Sequence, residues 1–130
     1  MSNDSAVFPY GIALRADSTI GTFPAANVFV ENAAGERVLF VCLIDSGASI
    51  SALPKNDAEL LGVAYKKGER IQVAGVGGQS MKGWVHSLKI FLGPTTLRAP
   101  FAFLDSDAQQ RIVGRAGVFD QFTLNYETPQ

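Results

Sequence analysis

Val38-Leu39-Phe40-Val41-Cys42-Leu43-Ile44-Asp45-Ser46-Gly47-Ala48-Ser49 is the stretch whose reading decides the fold. Seven apolar residues run straight into an aspartate, and a hydroxyl, a glycine and two more small residues follow. An apolar run of this length, bounded by turn formers, reads as a strand buried on both faces. Asp45 at its mouth is then carried by a rigid core element and denied free water, the setting in which a carboxylate acquires unusual acidity. Gly47 lets the backbone turn tightly beside it, and Ser46 offers a hydroxyl to a neighbouring chain. The same letters also read as a strand closed by an ordinary polar turn. Both readings stand on this stretch alone.

Working outward, the upstream residues supply a partner strand. Phe23 to Val30 alternates in the manner of a strand, and the turn cluster Glu31-Asn32-Ala33-Ala34-Gly35-Glu36 joins it to the apolar run as a hairpin. Residues 1–22 are set apart as an N-terminal extension without a firm assignment, with a short edge strand expected over Ile12 to Ala16. Residues 23–130 form the one domain expected of this length.

Downstream, Asn56 to Gly62 reads as a short structural helix. Asn56 is its expected cap, Glu59 the reciprocal partner and Gly62 the stop. Glu69 to Val76 and Met81 to Leu92 are strands that meet at Gly75-Val76-Gly77-Gly78. Three glycines in four residues give that hairpin tip wide φ/ψ freedom. Trp84, His86, Leu88, Ile90 and Leu92 share one face of the returning strand. Leu97 to Leu104 is a further strand, with Phe101 and Phe103 inward. Ile112-Val113-Gly114 is a second short apolar segment, followed by an expected helical turn and a half over Arg115 to Phe122 and a terminal strand over Phe122 to Tyr126. The chain is therefore expected to be all-β, a small closed-barrel-like domain with one or two short helices. Thirteen glycines and six prolines agree with many turns and short strands.

Composition excludes several functions. Hydrophobic residues make up 47% and charged residues 18%, so the chain can bury a core. Eleven basic residues balance twelve acidic ones, and no basic cluster exceeds Lys66-Lys67. Nucleic acid and anionic membrane are therefore poor partners. The one cysteine, Cys42, permits no intrachain disulfide, and with a single histidine it builds no Cys/His metal set. Cys42 is expected to be a packed core thiol and His86 a structural, partly exposed side chain. The glycine-rich tip lacks the lysine and following helix of a phosphate loop. No G-x-S-x-G elbow positions a serine nucleophile. Asp105-Ser106-Asp107 lacks a calcium-loop pattern and reads as a solvated turn. No apolar run reaches membrane-span length, and the start lacks a signal-peptide pattern, so no membrane partner and a cytoplasmic location are expected.

Three features occur in order: an apolar strand ending in Asp45-Ser46-Gly47-Ala48, a glycine-tipped hairpin at Gly75-Val76-Gly77-Gly78, and Ile112-Val113-Gly114 ahead of Arg115. Together they resemble the retropepsin family, the single-lobed, retroviral-type aspartic proteases, over roughly residues 23 to 126. The resemblance implies an aspartic endopeptidase in which Asp45 is catalytic and Ser46, Gly47 and Ala48 support the catalytic loop. It makes Gly75, Val76, Gly77 and Gly78 a flap over a peptide or protein substrate. Ile112, Val113, Gly114 and Arg115 become the segment packed behind the site. No metal and no cofactor are implied. Asp-[Ser/Thr]-Gly occurs once in the chain, so a paired-carboxylate mechanism requires a homodimer with Asp45 from each copy on a twofold axis. The chain departs from many viral members at Ser49, where they carry a second aspartate that pairs with the arginine at position 115. A catalytically inactive dimerisation or peptide-binding module with the same fold is the alternative.

Overall fold

The computed structural model describes residues 10–14, 20–45, 47–74, 80–107, 109–118 and 120. Along the chain come β1 (Tyr10–Leu14), β2 (Ile20–Glu31), β3 (Arg37–Ile44), β4 (Ser51–Pro54) and helix α1 (Lys55–Leu61). A single 3-10 turn (Tyr65–Lys67) then leads to β5 (Glu69–Ala74), β6 (Ser80–Leu92), β7 (Thr95–Leu104) and β8 (Ile112–Val113). The architecture is mostly β with one short helix, as expected. The segment 1–22 contributes β1 and the first residues of β2, which starts at Ile20 rather than Phe23. β1 covers Tyr10–Leu14 rather than Ile12 to Ala16 and pairs antiparallel with β2.

The strand order is β1-β2-β3-β8-β4-β7-β6-β5, and a further β2–β6 pairing bends the sheet into a ring. Phe29↔Phe91 and Val30↔Ile90 make that closure. Two short parallel pairings, β3 with β8 and β4 with β7, sit among antiparallel ones. β8 lies between the strand that enters the Asp45 loop and the strand that leaves it, so the loop hangs from a continuous piece of sheet. The β2–β3 turn is an Asn turn: Asn32 Oδ1 accepts from Ala34 N–H at 3.0 Å and Glu36 N–H at 2.8 Å.

The core fills the ring. Val28, Val30, Phe40, Leu53, Leu61, Ile90, Phe101, Phe103, Val113 and Val118 are fully buried. The expected inward face of β6 holds, with Leu88, Ile90 and Leu92 in this cluster, and so does the Phe101/Phe103 alternation on β7. A smaller cluster on the opposite side joins Ala52, Ala102 and Leu104 to Ile50, Ile71, Val73, Met81 and Val85. It ties the end of the Asp45 loop to the β5–β6 hairpin.

Three expectations are corrected. β3 is buried on one face only. Phe40 and Cys42 point into the core, but Leu39 is 49% and Val41 55% exposed. An unbroken apolar run does not say whether its second face is covered by the same chain. Second, Asn56 does not cap α1. The helix begins at Lys55 behind Pro54 and has no side-chain cap, although Gly62 ends it at φ 67 as expected. Its first turn instead carries a buried acid, Asp57. Third, Arg115 to Val118 forms turns rather than the start of an α-helix. Gly117 sits at φ 70, a left-handed conformation that interrupts a helical path. Val118 is nevertheless buried, as foreseen. The expected strand over Phe122 to Tyr126 lies outside the described residues.

Cys42 is the packed thiol that the sequence indicated. Burial is the main reason its pKa rises from 9.0 to about 12, with the Arg111 charge pulling down and Asp57 pushing up. Only the thiolate is reactive. Native protein at pH 8 is therefore expected to resist a thiol reagent and to label at the rate of its unfolding. Stoichiometric labelling within seconds under native conditions would place the thiol elsewhere. Because the folded-state pKa is raised, this group adds nothing to pH dependence below about 9 and lowers stability from there up to about 12.

Candidate active site

Asp45 follows directly on β3, and its position is fixed by main chain on two sides. In the β3–β8 ladder Leu43 N–H donates to Arg111 O at 2.8 Å and Asp45 N–H donates to Val113 O at 3.0 Å. Beyond the strand the chain folds back on the carboxylate. Gly47 N–H donates to Asp45 Oδ1 at 3.0 Å, and Ala48 N–H donates to Asp45 O at 3.1 Å. This fixes the rotation of the side chain without using another side chain. The carboxylate is exposed, which corrects the expectation that it is denied water within one chain.

The loop after Asp45 is stitched to the segment after β8. Arg115 N–H donates to Ala48 O and Ala116 N–H to Ser49 O, both at 3.0 Å. Ser51, fully buried, accepts from Gly114 N–H through its Oγ at 3.0 Å. Gly114 lies so close to the loop that a Cβ would stand 2.7 Å from the carbonyl carbon and oxygen of Ile50 and 2.8 Å from Ala48 O. Ile112, Val113, Gly114 and Arg115 thus form the backing of the Asp45 loop. Ile112 and Val113 pair with β3, and Gly114 allows the backbones to touch.

A family model described as "gag-polyprotein putative aspartyl protease" matches residues 32–116. The chain belongs to this aspartyl protease family. The match spans Asp45, the β5–β6 hairpin and the Ile112-Val113-Gly114 segment. Among solved structures, this retropepsin-like chain is similar to a retropepsin-like aspartic protease from Rickettsia conorii. That match has a TM-score of 0.62 and 23% identity, covering 86% of this chain and 86% of the other. It is also similar to the EIAV protease complexed with the inhibitor HBY-793, with a TM-score of 0.55 and 21% identity over 72% of this chain and 82% of that one. At these identities the likeness shows the fold, which is the retropepsin fold. No curated protein matches the sequence.

Within this retropepsin fold the remaining expected residues divide clearly. Gly47 and Ala48 contact Asp45 as described above. Ser46 and the hairpin tip Gly75, Val76, Gly77 and Gly78 lie outside the described residues. The strands that carry that tip pair up to Ala74↔Ser80. Ser49, exposed, offers its carbonyl to Ala116. His86 is partly buried, with Nε2 at 2.8 Å from Tyr65 O and its ring edge-on to Phe103, in keeping with a structural role. No helix among the described residues is long and apolar enough to cross a membrane.

Two polar contacts were not foreseen from the sequence. One is Ser51 Oγ to Gly114. The other is an ion pair between α1 and the residue before β8: Arg111 Nε and Nη2 donate to Asp57 Oδ2 and Oδ1 at 2.7 and 2.9 Å. Asp57 is 2% exposed. Its only sequence signal was an acid on the apolar side of a short helix, where charge is rarely left unpaired.

Proposed function

We propose that the chain is a homodimeric aspartic endopeptidase in which Asp45 from each of two copies activates one water for attack on a peptide bond. The observation that carries this reading is Asp45 itself. It is exposed at the end of a core strand, with its carboxylate turned by Gly47 N–H and its backbone held by Val113. A single chain offers half of the required pair.

Two carboxylates across one water cannot both ionise, so the pair shares a proton. The ionised partner draws a proton from the water as it attacks the carbonyl carbon. The protonated partner donates to the carbonyl oxygen, giving a tetrahedral diol. One carboxyl then gives its proton to the leaving nitrogen while the other takes a proton from a diol hydroxyl, so that the C–N bond breaks, the C=O of the product acid forms and the pair again holds one shared proton. Each step needs the carboxylates to hold their separation, which the rigid backing from β8 supports. Ser46 is assigned to loop support across the twofold axis, and the tip Gly75 to Gly78 to a flap that closes over the peptide and excludes water. Phe122 to Tyr126 is the proposed interface strand. Residues 1–22 are proposed as an extension to the domain at 23–130.

Specific activity on an unfolded protein substrate is expected to rise with chain concentration to a plateau, as dimers form. It is expected to be unaffected by EDTA and to fall as pH rises until both carboxylates ionise. Ser49, in place of the aspartate of many viral members, favours the alternative of a non-catalytic module. A strict monomer without peptidase activity at any pH would favour that alternative.

A further inference from the structure

Asp57 is the buried acid that the proposed chemistry does not use. It sits in the first turn of α1, and both its oxygens face the Arg111 guanidinium. That guanidinium also lies 4.9 Å from the centre of the Phe40 ring on β3. The Arg111 main chain is the first rung of the ladder that reaches the catalytic loop. Its carbonyl accepts from Leu43 N–H, and two residues on Val113 O accepts from Asp45 N–H. One arginine therefore joins three elements: α1 through its fork, β3 through its face, and the β3–β8 register through its carbonyl. Planar two-point pairing fixes an arginine in orientation as well as distance.

We infer that Asp57 and Arg111 are a positioning pair, holding β8 in register against β3 so that Asp45 stands where the reaction needs it. α1 supplies the fixed point. It is anchored at both ends, following β4 directly and accepting at Leu61 O from Ala33 N–H at 2.9 Å. Without the pair, the Arg111 side chain keeps only its Phe40 contact, and the ladder beside it is short, since β8 is just Ile112–Val113. A slip there moves Val113 O, and Asp45 with it. A displacement of about 1 Å in a reacting group costs about a hundredfold in rate.

This inference rests on the protease reading for its catalytic half, but its structural half can be read without activity. Asp57→Asn keeps the shape and loses the charge. Arg111→Lys keeps the charge and loses the fork. Both are to be studied where circular dichroism shows the variants folded, with wild type alongside. Backbone amide exchange is expected to quicken about tenfold or more at Leu43 and Asp45 while the β6–β7 ladder stays as protected as in wild type. In the same samples kcat is expected to fall about tenfold or more with KM little changed. Uniform quickening across all amides, or unchanged exchange at Asp45, would overturn the positioning role. Lower thermal stability with wild-type kcat in the folded protein would overturn it too. If wild type is inert, the protease reading fails, and amide exchange alone decides whether the pair holds the register.

Discussion

Asp45→Asn is expected to abolish peptide hydrolysis, by about 10³-fold or more, while leaving the fold and its stability unchanged within about 0.5 kcal/mol. The structural half of the expectation comes from the environment of the side chain. Asp45 is exposed, and the contact to its Oδ1 comes from Gly47 N–H. An asparagine can present its carbonyl oxygen to that same donor and keep the turn. The catalytic half comes from proton bookkeeping. An amide neither takes the proton from water nor holds the shared proton, so both roles of the pair are lost together. Because the deficit is chemical rather than a shifted titration, no change of pH restores it. Unfolding midpoint and kcat/KM on one preparation check the two halves separately. Cleavage by the variant at the wild-type rate would remove Asp45 from the mechanism.

Gly114→Ala is expected to be the most damaging small substitution behind the site, costing about 3 kcal/mol in stability and about a hundredfold in kcat. Its new methyl would press on the carbon and oxygen of Ile50 at 2.7 Å and on Ala48 O at 2.8 Å. All three are main-chain atoms and cannot turn aside as a side chain can. Relief requires the loop from Ala48 to Ile50 to move off β8. That loop is continuous with Asp45 and is held by Arg115 N–H, Ala116 N–H and the Ser51 Oγ to Gly114 bond. Strain at Gly114 is therefore transmitted to the carboxylate. Denaturant unfolding and single-turnover kinetics measure the two effects. An alanine variant as stable and as active as wild type would show that the loop has room the geometry does not give it.

The contrast between these two positions shows what the sequence disclosed. Asp45, the alternation of Phe101 and Phe103, and the Asn32 to Glu36 turn are local signals, carried by residue type and spacing, and they were legible. Gly114 was legible as part of a motif. Its reason, contact with Ile50 and Ala48 more than sixty residues away, was not. The Asp57–Arg111 pair was invisible for the same cause: fifty-four residues separate its members, and no local pattern predicts which distant cation meets a buried acid. Asn56 misled because a good capping residue sat one position inside a helix that Pro54 had already begun. The apolar spacing after Arg115 reads as a helix, but Gly117 takes a left-handed φ of 70 that interrupts it. β3 misled in a more informative way. Its apolar run continues outward at Leu39 and Val41, and a run of letters cannot distinguish a strand covered by its own chain from one left open. Asp45, exposed just beyond that strand, accords with the half-site proposed above.

The measurement that bears most directly on that half-site is a mixing experiment. Wild-type chain is held at a fixed concentration below the activity plateau, and increasing Asp45→Asn chain is added and equilibrated before assay. Two copies sharing one site predict that activity falls toward zero as the variant sequesters wild-type chains into mixed pairs with one carboxylate. Activity that stays constant at a large excess of variant, and is proportional to wild-type chain at every concentration, would mean that one chain carries a complete site.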